Sequence, residues 1–270
     1  MALITISKNV GSGGTKIAEL VAAGLGLELY DDNRLQSEAL QSGVRADDLR
    51  HLDEKIPNLF DRILGANTEL YLDVMESVVY DVSKRGKGVI MGHCSQMLLR
   101  DFNCALHVRV NAPYEKRIEN LTRERGLNRA QAEKLIEKSD RQVNGFCKYA
   151  FNMNLEDPFL YDLILNTEKL SDETAAKHIM ELAASNEIDA CSISAVKSME
   201  KLAQKKKVEA EILRNDISLY MLDVDVQENG RVSISGLSTS RLDAERIPEI
   251  VRSVPGVEDV KSSIVVANLM

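Results

Sequence analysis

Apolar residues first gather at Ala2–Ile6, a short β-favouring run, and return at helical spacing in Ile17-Ala-Glu-Leu-Val-Ala-Ala. Between them lies Lys8-Asn-Val-Gly-Ser-Gly-Gly-Thr-Lys16. Strand, glycine loop and helix make the first unit of an α/β domain. Leu27–Tyr30 predicts a second strand. Arg34 to Arg85 is mostly helical by pattern, with breaks at Ser42-Gly43 and Pro57, and with Leu59, Ile63, Leu64, Leu70, Val74 and Val78 at helical spacing in its second half. Gly88–Met91 and Ala105–Val110 read as buried strands. Pro113 opens a helix that Gly126 stops, and Asn128 caps a charged helix reaching about Tyr149. Tyr161–Asn166 is the last strand of this part, and Ser171 caps a helix to about Ala184. Five strands with intervening helices predict an α/β, three-layer parallel sheet covered on both faces.

From Ile188 the texture changes. Ser194–Asn215 reads as one polar, charged helix, Ser218–Gln227 alternates as a strand, Asn229-Gly230 turns, and Arg231–Ser235 returns. Leu242–Val251 is helical despite Pro248, and Pro255-Gly256 leads into Val257–Ala267. This predicts a small α+β unit of order αββαβ, dividing the chain into 1–187 and 188–270. The unit holds no phosphate loop and no catalytic cluster. Its Lys205-Lys206-Lys207 run reads as a solvated helix face; the functional reading is an acidic partner or an anionic lipid.

Composition narrows the function. The chain has 270 residues, 44% of them hydrophobic, enough to bury a core. With 34 Lys+Arg against 42 Asp+Glu the net charge is −8, and there is no Trp. That balance argues against a nucleic-acid partner, which needs a basic face and, for single strands, stacking aromatics. The start lacks the basic and apolar regions of a signal peptide, and no apolar run is long enough to span a membrane. Cys94, Cys104, Cys147 and Cys191 are scattered without CxxC spacing, so reduced, mostly buried thiols and a cytoplasmic location are expected. His51, His107 and His178 show no metal-ligand spacing.

The glycine loop carries the chemistry. A loop between a first strand and a helix N-terminus turns backbone N–H groups and the helix dipole toward an anion. Gly11, Gly13 and Gly14 permit the positive φ that wrapping a phosphate requires. GxxxxGK[ST] is broken, however, because the lysine is missing. Lys8 or Lys16 is expected to supply the charge, and Ser12 or Thr15 the hydroxyl that approaches magnesium.

Several further motifs fall in a specific order. They are Ile4-Thr-Ile-Ser-Lys8, Gly11-Ser-Gly-Gly14, Leu25-Gly26, Tyr30-Asp31, Leu52-Asp-Glu-Lys55 and Val89-Ile-Met-Gly92 with Cys94. After them come His107-Val-Arg-Val-Asn-Ala-Pro113, Ser139-Asp-Arg141, and Asp157-Pro with Tyr161-Asp-Leu-Ile-Leu-Asn-Thr167. Over about residues 2–182 the chain resembles the cytidylate kinase-like family of P-loop proteins. In that register Gly14 stands at the lysine position and Lys16 at the hydroxyl position. The resemblance implies a nucleoside monophosphate kinase fold, ATP or another nucleoside triphosphate at Gly11–Lys16, magnesium, and CMP or dCMP as acceptor. It places a lid over the phosphates between Glu115 and Lys148, where Arg123 and Arg141 are the favoured cations. It puts Asp31 and Arg34 at the start of the acceptor-binding insert, and Asp157 and Asp162 near the acceptor nucleoside. His93 occupies the place of an arginine that holds the acceptor phosphate, a change that should weaken acceptor binding. The C-terminal unit is similar to a BON domain, through Asn229-Gly-Arg-Val232, Ile234-Ser-Gly236 and Val254-Pro-Gly-Val257. That likeness implies association, and a protein partner or a second copy is expected rather than a membrane.

Two functional expectations follow. The first is a kinase moving a γ-phosphoryl group to a CMP-type acceptor. The second is a catalytically weak or inactive nucleotide-binding scaffold acting through residues 188–270.

Overall fold

The computed structural model describes residues 3–42, 44 and 68–267. The expected helical positions Leu59, Ile63 and Leu64, the break at Pro57, His51 and the Leu52–Lys55 motif lie outside the described residues.

The first strand, β1 (Leu3–Lys8), is buried along almost its whole length because it is central. It pairs in parallel with β3 (Gly88–Met91) and β4 (Ala105–Asn111). β2 (Leu29–Tyr30) joins β3, and β5 (Leu163–Asn166) joins β4, giving the order β2-β3-β1-β4-β5. One face packs against α1 (Gly14–Leu25) and, later in the chain, the helix at Asp172–Ala183, through Ile17, Val21, Ala175 and Ile179. The other face packs against α2 (Asp32–Gln41) and α3 (Thr68–Ser83), with Leu35, Met75, Val78 and Val79 in the core. A short turn, α4 (Ser95–Leu98), follows β3. After β4 come α5 (Tyr114–Arg125) and α6 (Arg129–Phe151). Gly126 ends α5 in the left-handed region, and Asn128 opens α6 with a reciprocal side-chain cap to Gln131. The Asp172–Ala183 helix is α7, capped by Ser171.

The C-terminal unit begins with α8 (Ile193–Arg214). It continues through β6 (Leu222–Val226), β7 (Arg231–Ser238), α9 (Arg241–Arg252) and β8 (Asp259–Val266). β6 pairs antiparallel with β7, and β7 pairs in parallel with β8. Val208 and Ile212 of α8 join the core under this sheet. Met199, Ala203, Ala210 and Leu213 of the same helix are buried instead in the core around α3. A helix with two buried faces spreads its apolar residues around the axis, which is why its sequence reads as polar. Among the described residues no helix is long and apolar enough to cross a membrane.

Two expectations need correction here. The Lys205–Lys207 run is not a solvated face. Lys206 Nζ lies 2.8 Å from Asp73 and 3.0 Å from Glu76, and Lys207 Nζ lies 2.6 Å from Asp81, all on α3. The acidic partner of the run is a helix of its own chain. The cysteines are not reduced either. Cys94 bonds Cys147, and Cys104 bonds Cys191, so β3's exit is tied to α6 and the start of β4 to the segment before α8.

Candidate active site

The glycine loop leaves β1 at the carboxyl end of the sheet, where open α/β sheets place their ligands. Gly11 and Gly13 adopt φ of 80° and 81°. Ser12 is buried, its hydroxyl donating to Asn9 O at 2.8 Å. Helices α5 and α6 brace the loop from behind. Arg117 Nε donates to Val10 O at 2.7 Å, and Asn120 Nδ2 donates to Gly11 O at 2.9 Å. Arg117 in turn is fixed by two bonds of 2.7 Å to Asp140. Thr167 Oγ1 donates to Ser12 O at 2.8 Å, tying the loop to the end of β5. The first helical bond of α1 runs from Ile17 N–H to Gly13 O at 3.0 Å. The N–H groups of Gly14, Thr15 and Lys16 therefore stand at the helix's free end, as a phosphate site needs.

Lys8 covers the position where a lysine is missing. A Cβ added to Gly14 would lie 2.6 Å from Lys8 Cβ and 3.0 Å from its Cδ. Lys16, by contrast, is exposed on α1 and pairs with Glu19 at 3.4 Å.

Beside the loop lies a cavity of about 300 Å³. Lys8, His93, Arg125 and Lys138 bring cationic or ionisable nitrogen to it; Met91, Leu135, Val143 and Leu155 supply apolar wall. Its β3 side is an unusual turn in which Gly92, His93 and Cys94 have φ of 80°, 54° and 49°. Non-glycine residues held there store strain, a feature that concentrates at functional sites. His93 is buried, and its Nε2 lies 3.0 Å from Asp32 Oδ1. Cys94 carries the covalent link from this turn to α6 on the facing wall.

The remaining expected residues divide. Asp31 caps α2, accepting from Arg34 N at 2.9 Å. Arg34 forms ion pairs of 2.9 Å with both Glu28 and Glu38. Asp157 accepts from Phe159 N at 3.0 Å in the turn before β5. Asp162 accepts from His107 N at 2.8 Å, at the amino end of β5 and away from the loop. Arg123 is exposed and bonds Asn120 and Glu124. It does share the loop's outer side with Lys16 and Asp172, whose carboxyl sits against Gly13. Burial and the neighbouring Glu173 and Glu124 push the Asp172 carboxyl up, against the pull of Arg123 and Lys16. Arg141 is exposed and does not line the cavity. Lys138 and Arg125 do; they are cations of the same helices, among which the sequence favours Arg123 and Arg141 instead. Positions 135, 138, 139, 142 and 143 share one helix face, whereas 141 lies off it at about 100° per residue. That phase was legible in the spacing of Leu135, Gln142 and Val143.

Residues 3–169 match the model of the cytidylate kinase-like family, and residues 202–268 match that of the BON domain. A cytidylate kinase of Staphylothermus marinus is 27% identical over 184 residues, covering 67% of this chain and 96% of that protein. A cytidylate kinase of Pyrococcus horikoshii is 24% identical over 174 residues, covering 63% and 82%. The crystal structure of an uncharacterized protein from Eubacterium ventriosum shares the fold, with a TM-score of 0.52 at 18% identity over 69% of this chain and all of that one. The loop at the end of β1, the parallel sheet around it and this match over the first 169 residues lead to one assignment: the chain belongs to the cytidylate kinase-like family, with a BON domain following.

Proposed function

We infer that the protein is a nucleoside monophosphate kinase-like phosphotransferase, moving the γ-phosphoryl group of ATP or another nucleoside triphosphate to a CMP- or dCMP-type acceptor. The observation that carries this reading is Lys8 lying over Gly14 at the edge of the cavity. It puts a cation from β1 where the loop lacks one. Residues Gly11–Lys16 hold the donor's phosphates through backbone N–H groups. The acceptor lies in the cavity with its phosphate toward Lys8, Arg125 and Lys138. An oxygen of the acceptor's phosphate dianion attacks the γ-phosphorus, the bridging P–O bond breaks, and the nucleoside diphosphate leaves with that electron pair. No proton need move, so the protein's task is alignment and charge stabilisation. Magnesium, when bound, neutralises charge on the donor's phosphates. It suits a site with few protein ligands, since it keeps several waters and phosphate oxygens. The Thr15 hydroxyl at the helix start and the Ser12 oxygen, which keeps acceptor capacity, are the groups that fit it.

His93 favours a second reading. A histidine engaged by Asp32 binds a phosphate less firmly than an arginine fork. On that reading residues 1–187 bind nucleotide with little turnover, and residues 188–270 make the association that matters, with a protein or a second copy. A triphosphate donor fits a cytoplasmic setting, where reducing thiols would work against the two disulfides. A coupled phosphoryl-transfer assay across CMP, dCMP, UMP and AMP, with and without magnesium, separates the two. Magnesium-dependent turnover with CMP supports the kinase; nucleotide binding without turnover supports the scaffold.

A further inference from the structure

The Cys94–Cys147 bond joins two of the elements that line the cavity beside the glycine loop. Cys94 ends the turn that leaves β3 and itself lines the cavity. Cys147 is fully buried on α6, about one helical turn beyond Val143, which also lines it. The turn held by this bond is strained. His93 and Cys94 have φ of 54° and 49°, and residues in that region persist only where several contacts determine them together. Three of those contacts are non-covalent. Gly92 N–H donates to Ile6 O at 3.1 Å, Ser95 N–H donates to Gly92 O at 3.1 Å, and His93 Nε2 lies 3.0 Å from Asp32 Oδ1. The disulfide adds a covalent restraint, and without it the turn has less to hold it against relaxation. Cys104–Cys191 differs: it lies outside this cavity, with Cys191 half-buried in the segment before α8. A protein that uses a nucleoside triphosphate works among reducing thiols, where disulfides that form are most often redox-sensing or catalytic.

We propose that Cys94 and Cys147 are a reversible redox pair that sets nucleotide affinity: the disulfide holds the cleft in its binding form, and reduction loosens it. The proposal rests on the cavity being the acceptor site. A dithiol entering the cavity meets Cys94 first. Its thiolate attacks Cys94 Sγ, the S–S bond breaks, and Cys147 leaves as a thiolate that takes up a proton. The second thiolate of the dithiol then attacks the dithiol's own sulfur in the mixed disulfide. Cys94 leaves as a thiolate and is protonated, and the dithiol departs as a cyclic disulfide. Two electrons pass to the cysteine pair; an oxidised dithiol runs the steps in reverse. By linkage, a ligand that the oxidised form binds more tightly stabilises the disulfide by the same factor. An occupied cleft therefore protects the bond that shapes it.

The test holds the full chain in graded mixtures of reduced and oxidised dithiothreitol, with and without saturating CMP. Free thiols are trapped by alkylation and each pair is read by mass spectrometry, while circular dichroism reports the fold. The Cys94–Cys147 pair should open in the folded chain. CMP should raise the reduced-to-oxidised dithiothreitol ratio at its midpoint about tenfold, or about 30 mV for two electrons. The Cys104–Cys191 midpoint should not move. Calorimetry should give a CMP Kd about tenfold higher for the reduced chain. Cys147→Ser and Cys147→Ala, each checked by thermal melting, should bind CMP as the reduced chain does, with or without reductant. Cys191→Ser should keep the native response. A Cys94–Cys147 pair that opens only as the chain unfolds, an equal CMP shift for both pairs, or one CMP Kd in both redox states would overturn the proposal and leave the acceptor-site reading standing. Absence of CMP binding in both states would overturn that reading and the proposal together.

Discussion

The aliphatic stem of Lys8 occupies the space that a side chain on Gly14 would need, with Lys8 Cβ 2.6 Å from where a Cβ would stand. The two positions are mutually exclusive homes for one cation. Glycine at 14 is thus what allows a β1 lysine to reach the loop. Lys8→Ala should lower phosphoryl transfer by at least tenfold, the scale of about 1.4 kcal/mol or more for one charged contact to a transferring phosphate. Gly14→Lys alone should disturb the loop, because the obstructing atoms are the rooted end of Lys8. The double variant Lys8→Gly with Gly14→Lys, which also removes the obstructing Cβ, should recover activity lost in Lys8→Ala. A double variant no better than Lys8→Ala, as kcat/KM in the coupled assay, would show that the lysines are not equivalent.

Gly13 is the loop's second test. Its φ of 81° strains any residue with a side chain, and an added Cβ would lie 2.5 Å from an Asp172 oxygen, which would have to move. A nucleotide at 100 times its Kd should stabilise the native chain by about 2.7 kcal/mol. Thermal melts with ATP, GTP and CTP plus magnesium should show a rise with at least one of them. Gly13→Val should abolish it. No rise with any triphosphate at millimolar concentration contradicts phosphate binding at Gly11–Lys16.

What the sequence disclosed was local. Asn128 capping α6, Gly126 ending α5 and the glycine loop opening α1 depend on a few neighbouring residues, and each was legible. The failures concern partners distant in the chain. Lys206 and Lys207 find Asp73 and Asp81 more than 120 positions earlier, and nothing near the lysines announces it. Cys94 and Cys147, 53 residues apart, meet only because α6 folds back over the exit of β3. In the site, charge drew attention to Arg141, but rotation about the helix axis decides for Lys138.

The Cys94–Cys147 bond gives a prediction about stability and order in the cleft. It closes a loop of 53 residues, and the chain-entropy argument assigns such a crosslink about 4 kcal/mol. Reduction by dithiothreitol should lower the denaturant midpoint, and Cys147→Ser should reproduce part of that loss without reductant. Thiol alkylation of the native protein, read by mass spectrometry, should find no free cysteine. Four alkylated thiols in the absence of reductant would mean that the pairs do not form in solution.

Helix α8 belongs to two cores, so cutting the chain before it should be costly. Ending at Glu187 removes Lys206 and Lys207 from the carboxylates of Asp73, Glu76 and Asp81, and uncovers apolar surface on α3. Deleting one partner of a buried ion pair typically costs about 3–5 kcal/mol. The shortened chain should melt well below the full chain, whereas ending at Arg214 should retain most of the difference. Equal melting of the 1–187 and full-length chains would show that α8 contributes nothing to the first unit.

The seam between α3 and α8 also sets a pH dependence. Three carboxylates, Asp73, Glu76 and Glu209, surround the single ammonium of Lys206 at 2.8–3.0 Å. Burial pushes the Asp73 carboxyl up to about 7; Lys206 opposes that shift, and Glu209 and Glu76 add to it. Its folded value therefore lies above the unfolded 3.8, and between the two the folded chain binds the extra proton. Asp73 stabilises the fold fully below about pH 4 and loses that contribution as pH rises toward 7. Asp81 runs the other way. Burial would raise it, but the hydrogen bond and charge of Lys207, helped by Lys84, hold its carboxyl below the usual range. Its stabilisation is present above about pH 4 and is lost as acid protonates it. The two opposed contributions are separable by substitution. Asp73→Asn should gain stability relative to the native chain as pH rises from 4 to 8, and Asp81→Asn should lose stability relative to it as pH rises toward about 4 from more acidic conditions. Urea midpoints measured at each pH give both differences. A difference between Asp73→Asn and the native chain that stays flat from pH 4 to 8 would show that Asp73 is ionised throughout, with Lys206 prevailing over burial.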